Sequence, residues 1–209
     1  MILRAVLRDV YPMVMRLIAV ADSLHLIDFD DLFHALLGWE GSSGFAFRIQ
    51  GQEYNSFRRK TRSKKLSDFQ LHRQEKFLYT IDTLDQWEWE VRVIDTQTGV
   101  EDDAMPVCLG GRGAAPPQYS GGPTGYRLML KRQELGEKMF EPAQVETALA
   151  LLTAEQPAST RELLREVLTD GATSLDRRLE ASGRLEPQRF SLKEANERLT
   201  QRQQHRRFL

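Results

Sequence analysis

Trp87-Glu88-Trp89-Glu90-Val91-Arg92-Val93 is the stretch that decides the fold, because its side chains alternate between apolar and charged. An alternation with a period of two places the tryptophans and valines on one face and the charged residues on the other. It predicts a strand with one face on a core and one face toward water. Trp87 and Trp89 are therefore expected in the core, and a binding platform formed by one of them stays open as the alternative. The expected hairpin partner is Phe77–Ile81, joined through a turn at Asp82–Gln86.

Apolar segments before this strand supply further strands and one covering helix. We predict strands at Ile2–Arg8 and Met13–Val20, paired through a tight turn, and another at Phe45–Ile49. Between them, a helix is expected to begin with Asp28 as its cap and to end at Gly38. The apolar positions of this helix recur on one face: Phe29, Leu32, Phe33, Leu36 and Leu37. The sequence therefore predicts an α+β fold with a mixed or antiparallel sheet, a ββαβ start, one covering helix and a C-terminal helical extension.

The patterns divide the chain into three predicted segments. Residues 1–135 are expected to form an α+β core, and residues 136–185 a helical insertion. Residues 186–209 are expected to form a helix that returns to the core, followed by a frayed basic tail. Serine and glutamate three positions apart predict helix starts at Ser159 and at Ser191.

Charge, cysteine content and hydropathy restrict the function classes. The net charge is −1 with 28% charged residues, so only a local patch can attract nucleic acid or a membrane. A single cysteine excludes an internal disulfide and a multi-cysteine zinc site. Arg4, Arg8 and Asp9 interrupt the apolar N-terminus, which argues against a signal peptide. No apolar run reaches the roughly 20 residues of a membrane span. We expect a cytoplasmic protein without membrane contact.

A run of basic residues between residues 58 and 65 carries the concentrated positive charge of the sequence. We call it the basic segment: Arg58, Arg59, Lys60, Arg62, Lys64 and Lys65. Clustered cations beside Tyr54 and Phe57 are typical of a nucleic-acid contact, in which cations meet phosphates and rings stack on bases. A solvated loop between two strands has the same composition, and this alternative stays open. A second basic group is typical of a solvated tail: Arg198, Arg202, His205, Arg206 and Arg207.

Pro106–Tyr126 is long and rich in glycine and proline. Glycine permits left-handed backbone and proline restricts φ, so we expect one ordered loop shape. Connections of this length are usually functional or disordered, and the aromatic Tyr119 and Tyr126 favour order. Within the loop, Cys108 is expected to be a small buried hydrophobe, because no histidine lies near it in sequence to activate a thiolate.

Six separated segments occur in the order of a known family: Val10–Arg16, Leu36–Trp39, Phe45–Ile49, Asp82–Trp87, Pro106–Tyr126 and Glu186–Asn196. The Pro-Pro…Gly-Gly-Pro-x-Gly-Tyr element in the loop is the most specific of them. Together they resemble the Ri-plasmid Orf-three-like family, whose members are often labelled TnpR-type passenger proteins of insertion elements. The resemblance implies an α+β domain found on plasmids and mobile elements, with no activity to carry over.

The resemblance also selects residues expected to line one groove, which we call the motif site: Asp82, Asp85, Trp87, Pro116, Pro117, Gly121, Gly122 and Tyr126. It implies losses as well, since histidines of the family pattern are replaced here by Asp30, Gly44 and Trp89. Imidazole and thiolate hold transition metals, and glycine and tryptophan do not replace them. We therefore expect a divergent member that is a non-enzymatic binding or adaptor protein, with no catalytic residue, metal or cofactor.

Two other function classes stay open. A divalent-metal-dependent hydrolase or nuclease would use Asp82, Asp85 and Glu88, although aspartates at a turn have a structural explanation. A protein-interaction module, for example an inhibitor or modulator, would use the helices of residues 136–185. The histidines show no metal-ligand spacing, and His34 is expected on the helix surface.

Overall fold

The computed structural model describes residues 1–40, 44–81, 85–97, 106–135 and 184–207, with four single residues: Thr147, Ala150, Glu162 and Glu166. They fall into two compact units, Met1–Tyr126 with Glu186–Leu209, and Arg127–Leu185. None of the helices in these ranges is long and apolar enough to cross a membrane. The segment boundaries expected at residues 135 and 185 stay predictions.

The first unit is an antiparallel sheet with helices. Its strands are β1 (Ile2–Leu7), β2 (Met15–Ala19), β3 (Phe45–Ile49), β4 (Gln52–Asn55), β5 (Lys76–Ile81), β6 (Trp87–Asp95) and β7 (Val107–Arg112). The helices are α1 (Leu26–Leu37), α2 (Arg59–Arg62), α3 (Gly122–Leu135), which continues into the second unit, and α4 (Leu192–Arg207), with a 3₁₀ turn at Leu66–Phe69. The strand order is β4-β3-β5-β6-β1-β2-β7, and every pairing is antiparallel. The predicted α+β fold is confirmed.

β6 lies at the centre of the sheet, and its apolar face is the core. Trp87 and Trp89 are completely buried, as the alternation predicted, and β5 is the antiparallel partner. α1 covers this face through aromatic side chains. The ring of Phe33 lies 5.1 Å from that of Tyr79 and 5.2 Å from that of Trp89, both edge to face. Each large apolar side chain buried in this way contributes about 1.5–3 kcal/mol, which fixes α1 on the sheet.

The two ends of α1 test the predicted helix bounds. Gly38 ends the helix with φ of +71°, in the left-handed region that favours glycine, as predicted. The predicted cap at Asp28 is wrong, because α1 begins earlier, with His25 in the cap position and Asp28 in the first turn. Asp28 still suits this place, since a carboxylate near a helix N-terminus is stabilised by the helix dipole.

The Gly/Pro segment contains more regular structure than predicted. It begins as β7, which pairs with β2 at one edge of the sheet, and α3 starts at Gly122, within the segment expected to be a loop. β4 was also missed, because its polar residues do not alternate with apolar ones. The edge strands β4 and β7 form because each pairs with a neighbouring strand. Local sequence patterns do not reveal such a pairing.

The C-terminal helix starts where its cap was predicted, since the N–H of Glu194 donates to Oγ of Ser191 at 3.2 Å. The last residues, expected to fray, are helical through Arg207. The predicted cap at Ser159 lies outside the described residues. In the second unit, the side chain of Gln133 bonds both the N–H and the carbonyl of Leu185, at 2.6 and 3.0 Å.

Candidate functional site

The side chain of Asp85 contacts the backbone just before α3. Its Oδ2 accepts the N–H of Gly121 at 3.2 Å, so a carboxylate lies at the N-terminal end of the helix. Gly121 and Gly122 have φ of +75° and +70°, and a Cβ on Gly122 would collide with the carbonyl oxygen of Asp85. Glycine is therefore required here by both conformation and space. The other predicted aspartate, Asp82, lies outside the described residues.

Trp39, just after α1, connects the Gly/Pro segment (Pro106–Tyr126) to the core. Its Nε1 donates to the carbonyl of Pro116 at 2.9 Å, and its ring lies 5.7 Å from that of Trp87. The next residue continues the connection, because the N–H of Glu40 donates to Oε1 of Gln118 at 2.7 Å. The amide of Gln118 donates in turn to the carbonyl of Glu40.

Pro117 and Tyr126, also members of the motif site, belong to the same Gly/Pro segment. Oγ of Ser120 donates to the carbonyl of Pro117 at 2.8 Å. Tyr126 is buried, and burial raises the pKa of its phenol. The structure thus brings the described members of the motif site together, and the contacts of Asp85, Trp87 and Pro116 serve to anchor the loop. Binding at the motif site stays a prediction.

The basic segment follows the edge strand β4. α2 occupies its middle, and Arg58, Arg59, Lys60 and Arg62 are exposed. Only Lys64 of the segment is within ion-pair distance of a carboxylate in the described residues, at 3.5 Å from Asp68. Phe57, beside the cations, is 80% exposed. Tyr54 is used differently, since its ring packs edge to face on Phe69 at 5.1 Å.

The acidic residues of β6 belong to an ion-pair network on the face of the sheet opposite α1. Glu88 pairs with Arg8, and Glu90 pairs with Lys76 at 2.8 Å. The hydrogen bond from Lys76 holds the pKa of Glu90 below its usual value. In the described residues, no group of three or more His, Cys, Asp or Glu side chains is placed to hold a metal ion.

Cys108 is buried, as predicted. Its thiol donates to the carbonyl of Gly110 at 3.4 Å, and burial raises the pKa of the thiol. Its backbone is bonded in both directions by the amide of Asn196, at 2.8 and 2.9 Å. Cys108 therefore lies at the point where hydrogen bonds join α4 to β7.

A buried chain of polar groups links α1 to β5, and the sequence did not predict it. The hydroxyl of Tyr79 donates to Oδ1 of Asp30 at 2.6 Å, and both residues are buried. Nδ1 of His34 lies 3.0 Å from the carbonyl oxygen of Asp30. The predicted surface position of His34 is wrong, because this bond turns the ring inward and leaves it 4% exposed. Burial, with the nearby Asp30, raises the pKa of Tyr79 well above its ordinary value.

The second basic group is only partly a solvated tail. Arg198 donates from Nε to the carbonyl of Ala35 at 3.1 Å and from Nη2 to that of Leu36 at 3.2 Å. These carbonyls lie in the last turn of α1, where that of Ala35 also accepts the N–H of Gly38 at 3.2 Å. A cation suits this negative end of the helix dipole. Arg202 lies 3.3 Å from Asp31. Between the two helices is a cavity of about 520 Å³, lined by His34, Ala35, Gly38, Trp39, Glu40, Arg198, Gln201 and Arg202.

Arg16 is a second functional candidate that sequence reasoning missed. It is 2% exposed, and its Nη1 donates to the carbonyls of Met15, Arg112 and Gly113 at 2.8–3.1 Å. Its guanidinium carbon lies 4.6 Å from the centre of the Phe190 ring. Desolvation lowers the pKa of Arg16 to about 10. The alternation of β2 could have predicted this burial, because Arg16 lies on the same strand face as the apolar Val14 and Ile18.

Comparison with known proteins supports the resemblance read from the sequence. No curated protein matches the chain. A crystal structure of a protein of unknown function from Methanosarcina mazei Go1 is similar, at 28% identity and a TM-score of 0.55, over 64% of this chain and 80% of that one. The family model for plasmid pRiA4b ORF-3-like proteins matches residues 1–146, which leaves the C-terminal segment from Glu186 outside the match. The chain belongs to the plasmid pRiA4b ORF-3-like protein family.

Proposed function

We propose that this protein is a binding or adaptor protein that contacts nucleic acid through the basic segment. The mobile-element setting is the one implied by the resemblance to TnpR-type passenger proteins. The observation that carries the proposal is a group of exposed cations with no carboxylate within ion-pair distance among the described residues, beside an exposed aromatic ring.

Clustered cations at the surface favour phosphate binding, and they do so most strongly where no carboxylate already pairs with them. Within the described residues, Arg58, Arg59, Lys60 and Arg62 have no carboxylate within ion-pair distance, whereas Glu88 and Glu90 on the sheet face are paired. An unpaired cation gains more from a phosphate, because no existing ion pair has to be broken. Each phosphate contact also releases counterions from the nucleic acid, which makes the affinity depend on salt.

Phe57 favours a single strand as the ligand. Its ring is 80% exposed and directly precedes the first arginine. An unstacked base can lie on such a ring, and a base–aromatic stack contributes about 1–3 kcal/mol. In a duplex the bases are already stacked on one another, so a duplex would use the cations alone.

The test is fluorescence anisotropy with a labelled single-stranded oligonucleotide and with its duplex, over a range of salt concentrations. The segment variant replaces four cations by alanine: Arg58, Arg59, Lys60 and Arg62. The matched control removes the same charge from exposed positions elsewhere: Arg4, Arg48, Arg73 and Lys193. For single strands, the salt slope is expected to fall by up to about 3 in the segment variant, from ~0.7 for each phosphate contact. The control variant should keep the wild-type slope.

Phe57→Ala separates stacking from charge. It should weaken binding to the single strand and leave both the salt slope and the duplex affinity unchanged. Equal losses in the segment variant and in the matched control would contradict the proposal, since they would indicate a diffuse charge effect. Parallel titrations with RNA and DNA strands of one sequence identify the preferred sugar, because only RNA offers a 2′-hydroxyl.

A further inference from the structure

We propose that the cavity beside Arg16 binds an oxyanion, namely a phosphate group, either free or at the end of a phosphate ester. The cavity has a volume of about 180 Å³ and lies at the N-terminal end of α4. Its lining is shared between the end of α1, the chain after β7 and the start of α4. None of its lining residues belongs to the basic segment, so this site goes beyond the proposed nucleic-acid contact.

The first argument is a buried cation without a counter-charge. Arg16 is 2% exposed, and no carboxylate of the described residues lies within ion-pair distance of it. Within the described part of the chain, all of its hydrogen bonds use Nη1, and Nε is buried without a partner. A buried charge is costly unless it is paired as well as hydrogen-bonded. An anion in the cavity that Arg16 lines would supply the missing charge.

The second argument is the excess of positive charge around the cavity. Arg189 and Arg198 line it together with Arg16, and Glu194 is the carboxylate that the described residues contribute to the lining. Glu194 lies 3.4 Å from Arg189 and 3.8 Å from Arg198, so it is shared loosely between two cations. Arg189 also lies 3.5 Å from Glu186, which is outside the lining. Two carboxylates still oppose three guanidinium groups, so positive charge remains in excess around the cavity.

The third argument is the position at the start of a long helix. Ser191, in the lining, precedes the first residue of α4, and its Oγ accepts the N–H of Glu194. That N–H is thus already capped, whereas the helix dipole still favours negative charge at this end of α4. Guanidinium groups beside the positive end of a helix dipole are a usual setting for a phosphate.

Size selects a single anionic group. Pockets that enclose a drug-sized ligand have volumes of about 300–1,000 Å³, well above the volume of this cavity. A phosphate, or the phosphate end of a larger ester, suits the smaller space. The rest of such an ester would remain outside.

The test is isothermal titration calorimetry of the full chain with sodium phosphate and with glycerol 3-phosphate, each against sodium chloride at equal ionic strength. We expect saturable binding of at least one phosphate compound and none of chloride. If both compounds bind, the phosphate group alone is sufficient for binding. If only glycerol 3-phosphate binds, the site requires a phosphate ester. Heats equal to those of chloride for both compounds would overturn the proposal.

Two substitutions with opposite expected effects locate the site. Arg189→Gln should weaken binding by about tenfold, the effect of losing ~1.4 kcal/mol. Glu194→Gln should strengthen it several-fold, because it removes the competing carboxylate. A loss of structure in either variant cannot produce tighter binding, and tryptophan fluorescence checks that each remains folded. The exposed Arg73→Gln is the control. Equal weakening by Arg73→Gln, or weakening by Glu194→Gln, would overturn the assignment.

Discussion

Tyr79→Phe tests the buried polar chain that joins α1 to the sheet. The substitution removes one hydroxyl and keeps the ring that packs against Phe33. The lost hydrogen bond to Asp30 is 2.6 Å long, and both residues are almost completely buried. A buried hydrogen bond to a carboxylate contributes about 1.5–3 kcal/mol, and no water replaces the lost donor without rearrangement. We therefore expect the free energy of unfolding to fall by about 1.5–3 kcal/mol.

Urea unfolding followed by tryptophan fluorescence measures this loss. All three tryptophans, Trp39, Trp87 and Trp89, belong to the first unit, so their emission reports the unit that contains the substitution. Tyr54→Phe is the matched control, because its hydroxyl donates to the exposed Gln52. Surface changes of this kind stay within about 0.5 kcal/mol. Equal losses in the two variants would refute the reasoning that the hydrogen bond to Asp30 stabilises the fold.

Three further outcomes are expected. Because the pKa of Tyr79 is raised in the folded state, its stabilising effect is complete below the ordinary tyrosine pKa and is lost as the pH rises above it. The stability difference between wild type and Tyr79→Phe should therefore shrink by about 1.4 kcal/mol per pH unit above pH ~10, as measured by urea unfolding at each pH. Gly111→Ala should destabilise by about 1–3 kcal/mol, since a Cβ would lie 2.5–2.8 Å from the ring of Phe190, whereas Gly110→Ala, which meets open space, should be neutral in the same assay. Arg198→Met should lower the thermal midpoint by removing two hydrogen bonds at the end of α1, and an unchanged midpoint would argue against that role.

The proposed nucleic-acid contact and the proposed phosphate site depend on different residues. The first depends on exposed cations around α2, and the second on Arg16, which is buried in β2 and lines the cavity at the start of α4. The segment variant should therefore bind phosphate with wild-type affinity, and Arg189→Gln should keep the wild-type salt slope with oligonucleotides. Calorimetry and anisotropy on the same two variants measure both.

Local sequence patterns predicted the elements whose signal lies within a few neighbouring residues. The alternation in β6, the apolar face of α1, its end at Gly38 and the cap at Ser191 were all readable in this way, and so was the family. The strand β4 was missed because polar residues without alternation become a strand only when another strand pairs with them. The basic segment was visible in composition. Its exposure, and the absence of ion pairs between its arginines and the described carboxylates, depend on how the rest of the chain packs around it.

Tertiary structure alone decided which polar residues meet. Tyr79 reaches Asp30 from 49 positions away, and Arg16 reaches Gly113 from 97. The same packing turned His34 inward and placed Arg16 beside Arg189 and the start of α4. The amino-acid sequence by itself determines which faces are apolar and which turns need glycine, because those follow from backbone geometry and side-chain spacing. The pairing of distant polar groups follows only from how those faces pack, since burial is what forces each such group to find a partner.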